Sequence, residues 1–225
     1  MVKRMLLGAV AIALVIASAY AALYVAPEER TMGLIQRIFY FHVGSAWAGM
    51  DAFFVCFVCN LLYVWKRAPK YDWLAVSSAE VGLVMTTVVL ITGPIWAHPV
   101  WGIWWTWDAR LTSTFVLWLL YVSYLLLRTL IEEPERRALL SSLFGIFAFL
   151  DVPLVFGAIR WWRTQHPSPV IMGGPGSGLE HTMKLVLFFS AFAMHVLALF
   201  LIVERYVLEE MKNDVDILQR EAEAQ

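Results

Sequence analysis

The segment Pro99-Val100-Trp101-Gly102-Ile103-Trp104-Trp105-Thr106-Trp107-Asp108-Ala109-Arg110 sets four indoles, a carboxylate and a guanidinium between two strongly apolar runs. An indole offers a broad apolar face and a single N–H donor. Clustered in this way, indoles suit a wide planar aromatic ligand, and a porphyrin has that shape. The competing explanation is an interfacial belt, in which tryptophan anchors helix ends at headgroup level. A belt explains isolated indoles at helix ends better than a cluster closed by Asp108 and Arg110. Read as a helix, Trp101, Trp104, Trp105 and Asp108 follow the i, i+3, i+4, i+7 pattern and share one face, with Trp107 and Arg110 turned elsewhere. Asp108 and Arg110 would then diverge. Asp108 is expected instead to fix an indole N–H, an arginine on another loop, or the entry to the next helix.

Histidine supplies the second chemistry. His42 opens an apolar span within Phe39-Tyr40-Phe41-His42-Val43-Gly44-Ser45-Ala46-Trp47, and His166 sits in Trp161-Trp162-Arg163-Thr164-Gln165-His166-Pro167. Proteins hold haem iron through axial His, Cys, Met or Tyr. Two histidines from distant parts of the chain could reach one iron from opposite sides. A lone histidine at a helix end is more often an interfacial polar residue. His98 and His181 are further candidates, and His195 lies deep in the last span, where a satisfied core histidine is the default. Arg37, Arg110, Arg160 or Arg163 could pair with propionates, because arginine matches carboxylates bidentately.

These residues need a scaffold, and composition says what its solvent is. Of 225 residues 60% are hydrophobic and only 16% charged, the mean hydropathy is +0.68 and the net charge is −1. A soluble domain is about 45–50% apolar and 25% charged, and no basic field points to nucleic acid. The apolar residues fall into six runs, each near the roughly 20 residues that cross a bilayer as a helix. They lie at 5–25, 38–65, 73–96, 111–130, 139–159 and 183–206. The expected architecture is an all-α integral membrane protein, a single domain over 1–225 of six transmembrane helices. It would carry a tryptophan-rich amphipathic segment at 96–110, a second loop at 160–182 and a tail at 207–225.

The first run resembles a signal peptide in its Lys3-Arg4 start and small residues near Ala17-Ser18-Ala19. Its apolar core is long for that role, and it is expected to be a retained span. Lys and Arg are richer in the loops holding Lys3, Arg4, Lys66, Arg67, Lys70, Arg128, Arg136 and Arg137 and in the tail. Both termini are therefore expected in the cytoplasm, with the tryptophan segment and the His166 loop on the outer face.

Asp51, Glu80 and Asp151 fall within spans. Central charges are costly there, so such groups face the bundle or a cavity, or are neutral. A proton or ion path is one reading, and a hydrogen-bonded interhelical contact is the preferred one. Cys56 and Cys59 form C-x-x-C inside an apolar helix, without the exposed helix N-terminus that activates a thiolate. They read as small buried hydrophobes. Asn60 stands where a histidine would complete covalent haem attachment. The Gly-rich run Gly173-Gly174-Pro175-Gly176-Ser177-Gly178 lacks the P-loop lysine pattern and reads as a hinge or gate. The charged tail reads as a solvated helix extension, with contact to an ATPase subunit as the alternative.

The run Trp101-Gly102-Ile103-Trp104-Trp105-Thr106-Trp107-Asp108-Ala109-Arg110-Leu111-Thr112-Ser113 resembles the "WWD" signature of cytochrome c biogenesis haem-handling proteins. With the six spans, Tyr40-Phe41-His42-Val43 and the Trp161–His166 run, it points to the CcmC family. The larger CcmF and CcsA proteins share the signature, so length and histidine number carry the distinction. The resemblance implies haem b, bound non-covalently and transiently, with His42 and His166 as axial ligands. It implies a platform of Trp101, Trp104, Trp105, Trp107 and Asp108, with Arg110 beside it. It implies transfer of haem to a CcmE-type chaperone, with CcmA and CcmB ABC-type subunits and a small CcmD-type protein as partners in a bacterial inner membrane. Such a protein is a transfer factor rather than a conventional enzyme. Two other classes fit the composition: a permease subunit using Asp51, Glu80 and Asp151, and a membrane electron-transfer haem protein. No inverted repeat supports the first. The second usually keeps its histidines inside the spans.

Overall fold

The computed structural model describes residues 2–162, 164, 166, 171 and 178–223. Among these residues it is helical, with no strand beyond a single bridge between Glu29 and Gly33. Proline, glycine and side-chain caps set several of the helix ends. Helix α1 (Val2–Tyr20) ends through a π-helical turn, Ala21–Val25, at an extended Ala26. Pro27 follows, and a proline ring disfavours the helical conformation in the residue before it. A 3₁₀ turn, Leu34–Arg37, leads into α2 (Ile38–Lys66).

Helix α2 closes on Arg67 in the left-handed conformation (φ 54°), whose N–H donates to the Tyr63 carbonyl at 2.8 Å. Ala68 is then extended before Pro69, which opens α3 (Pro69–Trp101) at a position where no N–H is needed. This tight connection lays α2 and α3 antiparallel. Helices α4 (Ala109–Thr129) and α5 (Pro134–Phe149) follow. Helix α6 (Asp151–Trp161) continues the fifth span after a break at Leu150. Pro153 explains the break, since its ring crowds the carbonyl four residues back, at Phe149. Helix α7 (His181–Glu223) begins where the Glu180 carboxylate accepts from the N–H groups of Thr182 and Met183.

Among the described residues, six helical stretches are long and apolar enough to cross a membrane: Val2–Val25, Leu34–Lys66, Pro69–Trp101, Ala109–Thr129, Pro134–Trp161 and His181–Glu223. The protein is a six-span helical membrane protein, as its composition predicts. Two differences stand out: the third span runs on to Trp101, and the fifth is two helices. The last stays helical through the charged tail to Glu223, in line with the helix extension read from sequence.

Helix α2 is the hub and packs on α3, α5 and α7. Helix α1 lies on α7, and α4 bridges α3, α5 and α6. Toward the Lys66 end of α2, Phe53 stacks on Tyr121 with centroids 3.6 Å apart, among Cys56, Ala75, Ala79 and Leu117. Gly82 lets α3 approach there, because a β-carbon would collide with the Phe53 ring. Cys56 and Cys59 are both buried and free, as expected. At the other end Phe39, Tyr40, Trp96, Met183 and Leu187 form a second cluster.

Polar groups are joined between helices. Ser18 donates to Ser190 at 2.8 Å, and the Trp118 indole donates to Thr87 at 2.8 Å. Arg128 grips Asp72 bidentately at 2.5 and 2.8 Å, and Arg205 does the same with Glu80. Asp51 bonds His195. Two of the three carboxylates noted within spans are thus interhelical contacts, with partners on α7 rather than on their own helices. Asp151 keeps one carboxylate oxygen buried without a hydrogen bond.

The Asp72–Arg128 pair is nearly buried on both sides, at 8% and 10% side-chain exposure. Removing one partner of such a pair leaves an uncompensated charge, which costs about 3–5 kcal/mol, whereas replacing both by apolar groups is often neutral. Asp72→Leu and Arg128→Leu should each lower the thermal stability of the detergent-solubilised protein strongly, and the double variant should recover most of it. Additive losses in thermal unfolding would contradict this burial.

Candidate functional site

The tryptophan segment is not a helix face. Helix α3 carries Pro99 in its last turn and stops at Gly102, which adopts φ 74° and donates its N–H to the His98 carbonyl at 2.8 Å. A left-handed residue suits glycine and ends an α-helix. Residues 103–108 then run without regular structure. Asp108 restarts the helix. Extended at φ −70°, ψ 164°, it accepts from the N–H groups of Arg110 and Leu111, each at 3.0 Å, and from the Thr106 hydroxyl at 3.2 Å. Of the roles open to Asp108 from sequence, the structure shows helix entry. The expectation of one shared helical face gives way because an N-cap must lie outside the helix it caps.

The loop nonetheless brings part of the set together. Trp101, Trp104, Trp105, Asp108 and Arg110 line a cavity of about 80 Å³ with His42, Trp96 and His166. Trp104 stacks on the His98 ring, centroids 4.2 Å apart and planes 18° from parallel. The Trp105 indole N–H is buried without a hydrogen-bond partner. Trp107 lines neither of the cavities at this end. It is 73% exposed and meets Trp105 and Phe115 edge-on.

His42 sits in the second turn of α2 and is buried. Its Nδ1 lies 2.9 Å from the Thr92 hydroxyl. That hydroxyl has one proton, which it donates to the Val88 carbonyl at 2.7 Å. Thr92 therefore accepts from His42, and the imidazole carries its proton on Nδ1. Nε2 keeps its lone pair, the form in which an imidazole binds a metal. Trp96 holds the ring edge-on at 5.9 Å.

A larger cavity of about 920 Å³ lies on the same histidines. His42, His166, Trp96 and Arg110 line both spaces. Phe39, Trp47, Met183, Leu187 and Phe188 give the larger one apolar walls, and Gln36, Arg160 and Glu180 add polar groups. The Thr182 and Met183 backbone N–H groups hold the exposed Glu180 carboxyl below the usual carboxylate range. Arg110 also reaches the Val155 carbonyl at 3.5 Å, tying α4 to α6.

Of the residues predicted from sequence, His42, His166, Trp101, Trp104, Trp105, Asp108 and Arg110 therefore converge, and Trp107 does not. His98 and His181 line neither cavity, and His195 bonds Asp51 elsewhere in the bundle. Arg160 reaches the site and Arg37 does not line it. Arg163 and residues 173–177 of the Gly-rich run lie outside the described residues. Thr92 and Trp96 were missed. A threonine beside Gly93-Pro94 inside an apolar span was the available signal for the first, and proximity to the tryptophan run for the second.

Comparison with known proteins follows the same lines. The profile of the CcmC family, described as heme exporter protein C, matches residues 2–224. A heme exporter protein C of Bradyrhizobium diazoefficiens is 31% identical over 172 residues, covering 76% of this chain and 65% of that protein. The chain thus spans slightly under two thirds of that relative's length. A heme exporter protein C of Escherichia coli K12 is 30% identical over 197 residues, covering 87% and 76%. A ccmC-like mitochondrial protein of Arabidopsis thaliana, named for cytochrome c biosynthesis, is 32% identical over 190 residues, covering 84% and 70%.

The Thr92 contact makes a prediction independent of any ligand. Nitrogen-15 NMR of histidine-labelled protein should show His42 neutral and protonated on Nδ1. Thr92→Val removes the acceptor and should return the ring to a mixture of tautomers. A wild-type ring protonated on Nε2 would overturn the assignment.

Proposed function

The chain belongs to the CcmC family, described as heme exporter protein C, and from that premise we propose that it receives haem b at the tryptophan-rich end and passes it to a CcmE-type chaperone. The observation that carries this reading is the convergence of His42 and His166. They come from distant parts of the sequence and line the same two cavities, with the tryptophan loop and Arg110. Haem brings an iron with two open axial positions and two propionates. The residues suit it. His42 presents an unprotonated Nε2, held by Thr92. The larger cavity is within the roughly 300–1,000 Å³ typical of ligand pockets, with apolar walls and a few polar groups. Arg110 and Arg160 offer guanidinium groups to the propionates. Trp101, Trp104 and Trp105 supply flat apolar faces.

In this reading His42 is the fixed axial donor and His166 the second. Asp108 acts on the site through the backbone, since its cap fixes the start of α4 and so the origin of the Arg110 side chain. The excess of Lys and Arg in the alternate loops supports a site on the outer face with both termini in the cytoplasm. The protein acts as a transfer factor, working with CcmA and CcmB ABC-type subunits and a small CcmD-type protein. The permease and electron-transfer alternatives lose ground for structural reasons. Asp51 and Glu80 are engaged with His195 and Arg205, and the paired histidines sit at one end of the bundle.

Two measurements test this. Purified chain supplied with haem should give a six-coordinate bis-histidine spectrum. His42→Ala or His166→Ala should shift it, and the double variant should lose most of the haem. Thr92→Val, which removes support behind a ligand, should weaken binding roughly 10- to 100-fold. Unchanged spectra in both single variants would reject the axial pair.

The second measurement separates a platform from an interfacial belt. Trp104→Phe, Trp105→Phe and Asp108→Asn leave most apolar area in place, so a belt would tolerate them. On a haem site the phenylalanines leave a gap over the macrocycle, and Asp108→Asn, which keeps the helix cap, removes a carboxylate charge from the cavity wall. Haem-linked chaperone, normalised to the membrane level of each variant, should fall even where haem stays bound. Full transfer at normal abundance would leave the signature as a belt.

A further inference from the structure

Asp51 and His195 form an ion-pairing contact in a place that disfavours one. Asp51 lies about 20 Å along α2 from either end of the helix, at 1.5 Å per residue. With a hydrocarbon core of about 30 Å, that is close to the bilayer midplane. Ionisable groups at this depth normally face the bundle interior or a water-filled cavity. This pair faces neither, with side chains 72% and 36% exposed on the outer surface made by α2 and α7.

The hydrogen bonds fix what the pair presents. His195 Nδ1 lies 2.7 Å from the Ala191 carbonyl, which can only accept, so Nδ1 carries a proton. Nε2 lies 2.9 Å from Asp51 Oδ2 and shares the next proton with it. As imidazolium–carboxylate or as imidazole–carboxylic acid, the pair is net neutral, and both ring nitrogens are used. What remains is the second Asp51 oxygen, Oδ1, an acceptor to which no described residue donates. Acyl chains have no donor to offer it.

We propose that this face of α2 and α7 docks a transmembrane helix of another protein, one that carries an O–H or N–H side chain at mid-depth. Exposed Phe54, one turn from Asp51, and Phe192 and Leu199, a turn to either side of His195, form the apolar rim against which that helix packs. The chemistry argues against a second copy of this chain. A twofold contact centred on Asp51 would set one lone acceptor against another, with no proton to share. The inference rests on the spans and not on haem, so it stands or falls separately from the reading above.

The test is site-specific photocrosslinking in the native membrane, with benzoylphenylalanine at Phe54 and, separately, at Leu199. Peptide mapping should place the adducts on a membrane-spanning helix of a different chain, within a turn of a Ser, Thr, Asn, Gln, Lys or Arg. Asp51→Leu should lower the yield, normalised to membrane abundance, roughly three- to tenfold. Asp51→Asn keeps an outward acceptor and should stay near wild type. If Asp51→Leu does not accumulate, replacing the mapped donor with Ala in the partner should give the same fall. Adducts only with lipid, adducts only with a second copy, or a yield indifferent to both replacements would overturn the proposal.

Discussion

The constraint behind this structure is that hydrocarbon accepts no hydrogen bond and offers none. In a bilayer every backbone polar group must find its partner within protein, and an unpaired side chain is costly. Helices meet the backbone requirement, and most of the side chains that are paired meet theirs in two ways, while groups such as Ser78, Tyr121 and Tyr124 stay buried without a hydrogen bond. Ser77, Thr86, Thr87 and Thr92 donate to carbonyls three or four residues back on α3 and need no neighbour. Charged groups instead reach across helices, Asp72 to Arg128 and Glu80 to Arg205. The second kind sets which helices are adjacent, and so holds α4 and α7 to α3.

The first kind has a consequence at the site. A threonine hydroxyl that has given its proton to its own helix can only accept from elsewhere. Thr92 is thereby converted from an ambiguous partner into a dedicated acceptor for His42 Nδ1–H. The local rule that makes threonine tolerable inside an apolar helix thus also sets the histidine tautomer. Irregular backbone is tolerated in membrane proteins where it is buried in protein or lines a cavity. The irregular stretch after Trp101 obeys that rule, since Trp101, Ile103, Trp104 and Trp105 border the smaller cavity.

Much of this was legible in the residues. Long apolar runs gave the six spans, and the positions of His42 and of the tryptophan run near span ends placed them at one end of the bundle. The geometry of the run was not legible. Helical periodicity is computed as if the helix continued, whereas Pro99, Gly102 and Asp108 carry stop and start signals within ten residues. Reading those signals first turns Asp108 into an N-cap and dissolves the shared helical face of Trp101, Trp104, Trp105 and Asp108. Partners of the intramembrane carboxylates were hidden for a different reason. Asp51–His195 and Glu80–Arg205 span 144 and 125 positions, and no local spacing rule sees such pairs. The break at Leu150 was foreshadowed by Pro153, although hydropathy alone ran across it.

The two histidines reach the site from different kinds of backbone. His42 stands in the second turn of α2, with Nδ1 on Thr92 and the edge of Trp96 beside its ring. His166 comes from the connection between α6 and α7, where its backbone N–H donates to the Thr164 hydroxyl at 3.1 Å. The two cavities are therefore assembled only when α2, the loop before α4 and that connection pack together, and this is why residues so far apart in the sequence line the same space. No local spacing rule brings them together; the packing of α2 against α3 and α7 does.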